Sequence, residues 1–595
     1  MYLEFMKQCI LYLFLIFSMA INAQNAIKAN EAFKESKFSE ALEMYQALLK
    51  KSPKSYSYTT RVISCFQQLE RYQEAKALIE KTMLINNSKA LLVYLGYNYL
   101  LMGKENMAES TFEKCHESII QNTNNVYVVA RQFEQFGLTD KAVKSYEIAA
   151  ELSENPNFQI NLARLYGEQG NITLMIDTYI NYLKIEPSAL NTIKVKLYPF
   201  LTESKSNQNN QLLKEKLVLN IQQDPNTTYN KLLSWLYIIE KQYKKAFIQE
   251  KAILSREEGT YYQLIELARL SEKSGDLSLA SSVYDYIIER CPSIDMRLLA
   301  NQKTLNIKVN DASKELYPEI NLLYESLLSE HAQNRALVPI IIDYARFLCF
   351  EQENSAKATA ILKEKLKNSY PITSIAEIKL ALGDVLVYQE RFDEALIYYT
   401  QVQLSLKNSP IAQEARFRVA KTSFYKGDFK WAETQLKVLK SSISQLIAND
   451  ALELKLVISD HKYEDSLQVA LNAFSKASLL EFQKKPTRAV EVLTSITENH
   501  KEEAIVDDAI FKIGSIYETQ KQYDKAVENY TKIIEGFKES ILLDDAYYRL
   551  GVLYETIFNN PVEAKRCYEY ILFNLENSIH LVDSRKRYRN LGPDI

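Results

Sequence analysis

The stretch DDAIFKIGSIYETQKQYDKAVENYTKII, which covers residues 507–534, decides the fold class. In it, Gly514 precedes Tyr517 by three residues, and Ala526 precedes Tyr530 by four. Residues three or four apart lie on the same face of an α-helix. A small residue beside an aromatic ring lets a second helix approach closely, while the ring fills the remaining space. The stretch therefore predicts two amphipathic helices that pack as a hairpin.

The Ala-x-x-x-aromatic element of this stretch recurs along most of the chain. Alanines at positions 41, 75, 108 and 142 are spaced by 34, 33 and 34 residues, and later spacings lengthen to 37 or 38. The copies with a ring in the second position are Ala41/Tyr45, Ala108/Phe112, Ala142/Tyr146, Ala280/Tyr284, Ala395/Tyr399, Ala526/Tyr530 and Ala564/Tyr568. A period of this length indicates stacked helix-turn-helix units, each of which buries its apolar face only against its neighbours. The sequence therefore predicts an all-α fold.

These units resemble the tetratricopeptide repeat, which has a small residue in its first helix, another in its second helix and an aromatic residue one turn later. The resemblance covers most of residues 24–580. It implies an α-α superhelix, or solenoid, of about 15 repeats. It also implies that the first helices line a concave groove, which binds protein partners.

We divide the chain by how well it keeps this pattern. Residues 1–23 are expected to be a signal peptide, and residues 24–188 an N-terminal repeat array. The pattern is weak between 187 and 243 and again over about 301–375, and the polar stretch SKSNQNN at 204–210 is typical of a loop. We therefore expect irregular repeat-like helices over residues 189–375. Residues 376–595 are expected to form a C-terminal array that ends in a capping helix.

The composition and the motif content exclude several classes of function. The 595 residues include 72 Lys and Arg against 75 Asp and Glu, so the chain lacks the basic excess that nucleic-acid binding requires. The sequence has no phosphate-binding loop, no dinucleotide fingerprint and no H-E-x-x-H or G-x-S-x-G motif. Its five histidines and six cysteines show no metal-ligand spacing. We therefore expect a non-catalytic protein without a cofactor, a metal or a small-molecule substrate.

One heptapeptide, acidic-Ala-x-aromatic-basic-apolar-small, occurs three times in the C-terminal array, beginning at Glu414, Asp508 and Asp545. These copies resemble the exported tetratricopeptide proteins of Gram-negative envelopes, of the BamD and CpoB type. The resemblance implies a periplasmic scaffold with a role in outer-membrane assembly or export. The alternative is a membrane-tethered or secreted structural subunit of a surface or secretion machine.

The basic stretch Arg585-Lys586-Arg587-Tyr588-Arg589 has two interpretations. In the first it is the solvated face of a capping helix, which a terminal repeat needs for solubility. In the second it contacts anionic lipid headgroups, which would give a peripheral association with the outer membrane.

Candidate binding residues follow from aligning the repeats so that the alanine of the second helix is position 20. Position 9 of the first helix then falls on Asn30, Arg131, Arg164, Arg269 and Lys421. In the tetratricopeptide class that clamps a partner's terminal carboxylates, the first repeat carries Lys at position 5 and Asn at position 9. Here Asn30 matches, but Ala26 replaces the lysine, so we do not expect that specificity.

Arg131 and Arg164 occupy the same place in consecutive repeats, so their guanidinium groups should face the same groove. Guanidinium groups form bidentate bonds with carboxylates. One hypothesis is that both arginines hold an acidic segment of a protein partner. The other is that they pair with Glu134 and Glu168, which follow three and four residues later on the same helices.

Residues 1–23 have the features of an export signal. Lys7 is basic, residues 10–19 form an apolar run, and Ala23 is the small residue that a signal peptidase prefers. The run is short for a bilayer span, which needs about 20 residues. We therefore expect export to the periplasm. The alternatives are an uncleaved membrane anchor and an extracellular location, and Met6 offers a second start site.

Cleavage is expected between Ala23 and Gln24, because the small residue follows the apolar run at the usual distance. Intact-mass measurement of the protein isolated from its native cells should give a chain that begins at Gln24. A native chain that retains Met1 or Met6 would contradict this expectation.

Overall fold

A computed structural model describes residues 24–153, 155–439, 445–462 and 468–592. The predicted signal peptide and its cleavage site lie outside the described residues, apart from Gln24. The chain divides into two compact units, Met1–Leu279 and Ala280–Ile595. The boundaries predicted after residues 188 and 375 stay predictions.

The described part of the first unit consists of helices joined by short turns. Its helices are α1 (24–34), α2 (Phe38–Lys51), α3 (Tyr56–Gln68), α4 (Tyr72–Met83), α5 (Ala90–Leu101), α6 (Glu105–Gln121), α7 (Val126–Gln135), α8 (Thr139–Leu152), α9 (Pro156–Glu168), α10 (Ile172–Ile185), α11 (Leu190–Leu197), α12 (Gln208–Gln223), α13 (Thr227–Ile239), α14 (Tyr243–Leu254) and α15 (Tyr262–Lys273). Helix α16 (Leu277–Arg290) begins in the first unit and ends in the second.

The described part of the second unit is built in the same way. Its helices are α17 (Ile294–Asp311), α18 (Tyr317–Glu330), α19 (Val338–Arg346), α20 (Ser355–Lys365), α21 (Ile372–Tyr388), α22 (Phe392–Ser405), α23 (Pro410–Tyr425), α24 (Phe429–Leu439), α25 (Gln445–His461), α26 (Val469–Phe482), α27 (Pro486–Asn499), α28 (Ile505–Thr519), α29 (Tyr523–Gly536), α30 (Leu543–Thr556), α31 (Pro561–Asn574) and α32 (Leu581–Asn590). A π-helical turn, Phe347–Glu351, follows α19. The described residues form no strand, so the predicted all-α fold is confirmed, and 32 helices agree with about 15 hairpins.

In the C-terminal hairpins, a ring of the second helix packs on a small residue of the first helix. Tyr530 and Tyr568 are fully buried. A Cβ added to Gly514 would lie 2.8 Å from the ring of Tyr530, and one added to Gly551 would lie 2.6 Å from the ring of Tyr568. The predicted small-residue and aromatic positions therefore meet in space, and even a methyl group would overlap the ring.

The turn between the two helices of a hairpin requires a left-handed residue. Gly275 and Gly427 have φ values of +84° and +83° at these turns, where glycine has no Cβ to clash.

Helix α26 departs from regular stacking within the second unit. The ring of Phe482 at its end lies 5.4 Å from the ring of Phe350. The next residue, Gln483, donates a hydrogen bond of 2.9 Å to the backbone oxygen of Tyr388. Lys484 then forms an ion pair with Glu351, 133 residues away in sequence. The end of α26 is thereby fixed against hairpins that precede it by more than one repeat.

Replacement of Gly551 by Ala is expected to lower the unfolding midpoint, because the added methyl group overlaps Tyr568. Overpacking of this kind costs about 1–3 kcal/mol, which exceeds the roughly 1 kcal/mol that Ala contributes as a better helix former. Far-UV circular dichroism during thermal unfolding measures the midpoint.

The matched control is Gly536→Ala, since Gly536 is also helical but has no atom within 4 Å of its added Cβ. This variant should keep or raise the unfolding midpoint. Equal midpoints for both variants would show that the ring does not pack as described.

Candidate protein-binding groove

The five position-9 residues all lie on first helices of hairpins, as the alignment predicts. Asn30 is on α1, Arg131 on α7, Arg164 on α9 and Arg269 on α15, all in the first unit. Lys421 is on α23 of the second unit, where its ammonium group lies 5.7 Å from the ring centre of Phe417 on the same helix. Asn30 is half-buried. The structure therefore places Arg131 and Arg164 on consecutive first helices.

Arg164 is engaged on two sides. Its Nη1 donates to Glu168 at 2.7 Å, as the pairing hypothesis predicts. Its Nη2 donates to both carboxylate oxygens of Glu134 on the preceding first helix, at 3.0 and 2.9 Å. These bonds tie α7 to α9 and leave two carboxylates around one cation.

Arg131 is different, because it is exposed and forms no ion pair or hydrogen bond with any residue that the structure describes. The pair between Arg131 and Glu134, one of the two hypotheses, is not formed, since Glu134 bonds with Arg164. The physical reason lies one repeat earlier. Glu134 stands at position 12 of its repeat, whereas the same position of the preceding repeat is Leu100, which has no charge to offer Arg131.

Arg269 also follows a repeat that has no acid at position 12. The position-12 residue of the preceding repeat is the apolar Ile238, and Arg269 bonds with Glu266 on its own helix. Its Nε and Nη2 donate to the two carboxylate oxygens of Glu266 at 3.0 and 2.7 Å. Arg164 thus bonds with an acid of the preceding repeat, whereas Arg269 bonds with an acid of its own helix.

Sequence reasoning missed a further cation of the first unit. Lys194 on α11 has its ammonium group 6.0 Å from the ring centre of Trp235 on α13, within the range of a cation–π interaction. Trp235 stands at position 9 when counted from Ala246 at position 20. Counting back from Ala246 could have identified Trp235 as a position-9 residue. The repeat pattern between 189 and 243 is too weak to align α11, so Lys194 could not be assigned a position in its repeat.

The surroundings of Lys194 are partly buried. Burial lowers the pKa of Lys194, and the charge of Glu250 partly offsets this effect. The Glu250 carboxylate accepts a hydrogen bond of 2.6 Å from the hydroxyl of Ser234, and burial raises its pKa. Lys231, the other cation nearby, is paired with Glu257 at 2.5 Å. Among the described residues, none forms an ion pair with Lys194.

In the second unit, a tyrosine, a carboxylate and a cation form a contact that recurs in consecutive repeats. Tyr568 donates to Glu555 at 2.7 Å, and Arg587 of the next first helix donates to the same oxygen at 2.9 Å. In the repeat before, Glu518 accepts from Tyr530 at 2.8 Å and faces Arg549 at 3.5 Å. A basic residue of the following first helix therefore links one repeat to the next.

The C-terminal basic stretch divides into two kinds of residue. Arg587 bonds with Glu555 and, at 2.6 Å, with Asp583. Arg585, Lys586 and Arg589 are exposed on α32. Arg587 therefore does more than form the solvated face of a capping helix, because its bond with Glu555 holds helix α32 against the preceding repeat. The contact with lipid headgroups stays a prediction.

The other chemical groups considered are possible metal ligands and the cysteine thiols of the described residues. No three His, Cys, Asp or Glu side chains of these residues are grouped so as to hold a metal ion. The five described cysteines are buried and unbonded, and burial raises the pKa of Cys65 to about 11 and that of Cys115 to about 12. Such thiols stay protonated at neutral pH and are poor nucleophiles. In the same residues, no helix combines the length and the apolar character that a bilayer span needs.

Comparison with known families supports the repeat assignment in both units. Two models of the tetratricopeptide repeat match the chain, one over residues 28–82 and one over residues 507–535. These two segments are tetratricopeptide repeats. The resemblance drawn from the alanine and aromatic spacing is confirmed there, and repeats of this kind are typically non-catalytic scaffolds that bind proteins.

Comparison with solved structures and curated proteins adds little beyond this. A structure of Naa15/Naa10 bound to HypK-THB is 12% identical, covers 96% of each chain and has a TM-score of 0.26. PilW, a type IV pilus biogenesis factor, is 15% identical over 42% of this chain and 97% of its own, with a TM-score of 0.26. The APC/C hetero-tetramer Cut9-Hcn1 is 13% identical over 91% and 97%, with a TM-score of 0.23. No curated protein matches the chain significantly.

Proposed function

We propose that this protein is a non-catalytic scaffold of the bacterial cell envelope whose first unit binds an acidic segment of a protein partner. Tetratricopeptide repeats at 28–82 and 507–535 support the binding of proteins. The observation that supports the acidic specificity is Arg131, an exposed arginine at position 9 of its repeat without an acidic partner among the described residues.

The charge of Arg131 makes a carboxylate the best-matched ligand. A guanidinium group presents several N–H donors in one plane and binds a carboxylate through two parallel bonds. Because Arg131 forms no ion pair within the described chain, a partner's Asp, Glu or C-terminus would displace only water. Arg164 would have to break bonds with Glu134 and Glu168 first, so we assign it a structural role in the groove wall.

The envelope location is supported by the sequence alone. The apolar run 10–19 with Ala23 has the order of an export signal. The heptapeptide that begins at Glu414, Asp508 and Asp545 resembles those of exported envelope repeat proteins. We propose a periplasmic scaffold that acts in outer-membrane assembly or export.

Replacement of Arg131 by Ala is expected to weaken binding of an acidic peptide by about three- to tenfold, the range of an exposed to a bidentate charged contact. The probe is a fluorescein-labelled peptide of alternating Glu and Ser, and fluorescence anisotropy with the full-length protein gives its Kd. Raising the salt concentration should weaken binding to wild type more than to the variant, since screening acts on the lost charge pair.

Arg269→Ala is the matched control, because Arg269 has the same position in its repeat but already bonds with Glu266. Its affinity for the peptide should equal that of wild type, and a Gln-Ser peptide should bind to neither. Circular dichroism checks that both variants are folded. If Arg131→Ala keeps both the wild-type affinity and its salt dependence, the proposed function is wrong.

A further inference from the structure

The first unit has cations on several successive first helices, and their engagement differs. Arg164 bonds with two carboxylates, Lys231 pairs with Glu257, and Arg269 bonds with Glu266. Arg131 and Lys194 form no ion pair with the described residues. Neither of these two cations is held by an ion pair, and helix α9 lies between the helices that carry them.

Lys194 is positioned rather than freely mobile. Its ammonium group lies over the indole of Trp235, and its side chain is half-buried. A cation that is partly removed from water and lacks an ion pair gains more from an incoming carboxylate than a fully hydrated one does. The contact with Trp235 also reduces the conformational entropy that Lys194 would lose on binding.

The helices that carry the two cations are separated by one intervening first helix. Arg164 of α9 reaches Glu134 of α7, so these helices are neighbours. The ring of Phe200, directly after α11, lies against Gly167 of α9, with its Cζ 3.0 Å from the place of an added Cβ. Packed helices lie about 10 Å apart, so the axes of α7 and α11 are roughly 20 Å apart.

We propose that Lys194 on Trp235 is a second carboxylate-binding point and that, with Arg131, it selects partner segments whose two acidic residues stand about six residues apart. The spacing follows from the separation of about 20 Å, because an extended chain advances about 3.3 Å per residue. This inference rests on the proposed function, whose acidic ligand it specifies further.

The helix between the two cations adds a restriction. Around Arg164 the carboxylates of Glu134 and Glu168 outnumber the single cation, so the local net charge is negative. A third acidic residue in the middle of the ligand would meet this negative charge. The groove should therefore prefer two separated acids over a continuous acidic run, because like charges disfavour the wrong ligand.

The experiment uses fluorescein-labelled 14-residue peptides of Ser and Gly that contain two Glu residues, separated by two, six or ten positions. Anisotropy with the full-length protein gives their affinities. The six-spaced peptide should bind about fivefold more tightly than the other two, the gain of a second exposed charged contact made by a ligand already held at one end. Adding a Glu midway between its two acids should weaken it.

Lys194→Gln should abolish the preference for the six-spaced peptide, whereas Lys194→Arg should keep it. The matched control is Lys196→Gln, since Lys196 is exposed on the same helix two residues away and points elsewhere. This control should leave all affinities unchanged. Trp235→Leu should reduce the preference, because the aliphatic side chain keeps the packing but loses the cation–π interaction.

The outcomes separate this inference from the proposed function. If Arg131→Ala weakens all the peptides but wild type shows no spacing preference, or if Lys194→Gln keeps that preference, the second binding point is wrong and the proposed function stands. If no Glu peptide binds to wild type, both are wrong. A preference for the two-spaced peptide would also overturn the assigned spacing.

Discussion

The close contact between an aromatic ring and a glycine of the neighbouring helix is the interaction on which several hairpins depend. Tyr568 packs where Gly551 leaves room for it, and Tyr530 does the same at Gly514. Because the ring and the glycine belong to different helices, this contact sets how near the two helices lie. Each hairpin then leaves one apolar face uncovered, which only the next hairpin can bury. The array follows from repeating one tight contact.

Charge pairing between neighbouring first helices builds on this spacing and decides which groove residues remain available. Where position 12 of a repeat is acidic, the cation of the next repeat can pair with it, as Arg164 pairs with Glu134. Where that position is apolar, as at Leu100, the next cation stays exposed. The residue at position 12 of the preceding repeat thus distinguishes Arg164, which is paired, from Arg131, which is exposed.

The hairpins were predictable because their contacts are local, within about 20 residues of each other, as Ala526 and Tyr530 show with Gly514. The sequence leaves the state of Arg131 open between two hypotheses, since that state depends on a neighbouring repeat as well as on its own helix. Helix α11 is only eight residues long and follows no repeat register, so the sequence pattern does not identify Lys194 as a candidate binding residue. The fixing of α26 by Glu351 joins residues too far apart in sequence for any periodic pattern to reveal.

Amide hydrogen exchange of the full-length protein, with and without a six-spaced acidic peptide, tests most directly whether the groove of the first unit is the binding site. A ligand held between Arg131 and Lys194 should slow local opening of the helices that carry them. The account predicts added protection in peptides covering α7, α9 and α11, residues 126–197. Protection confined to the second unit, or none at all when the peptide is bound, would contradict it.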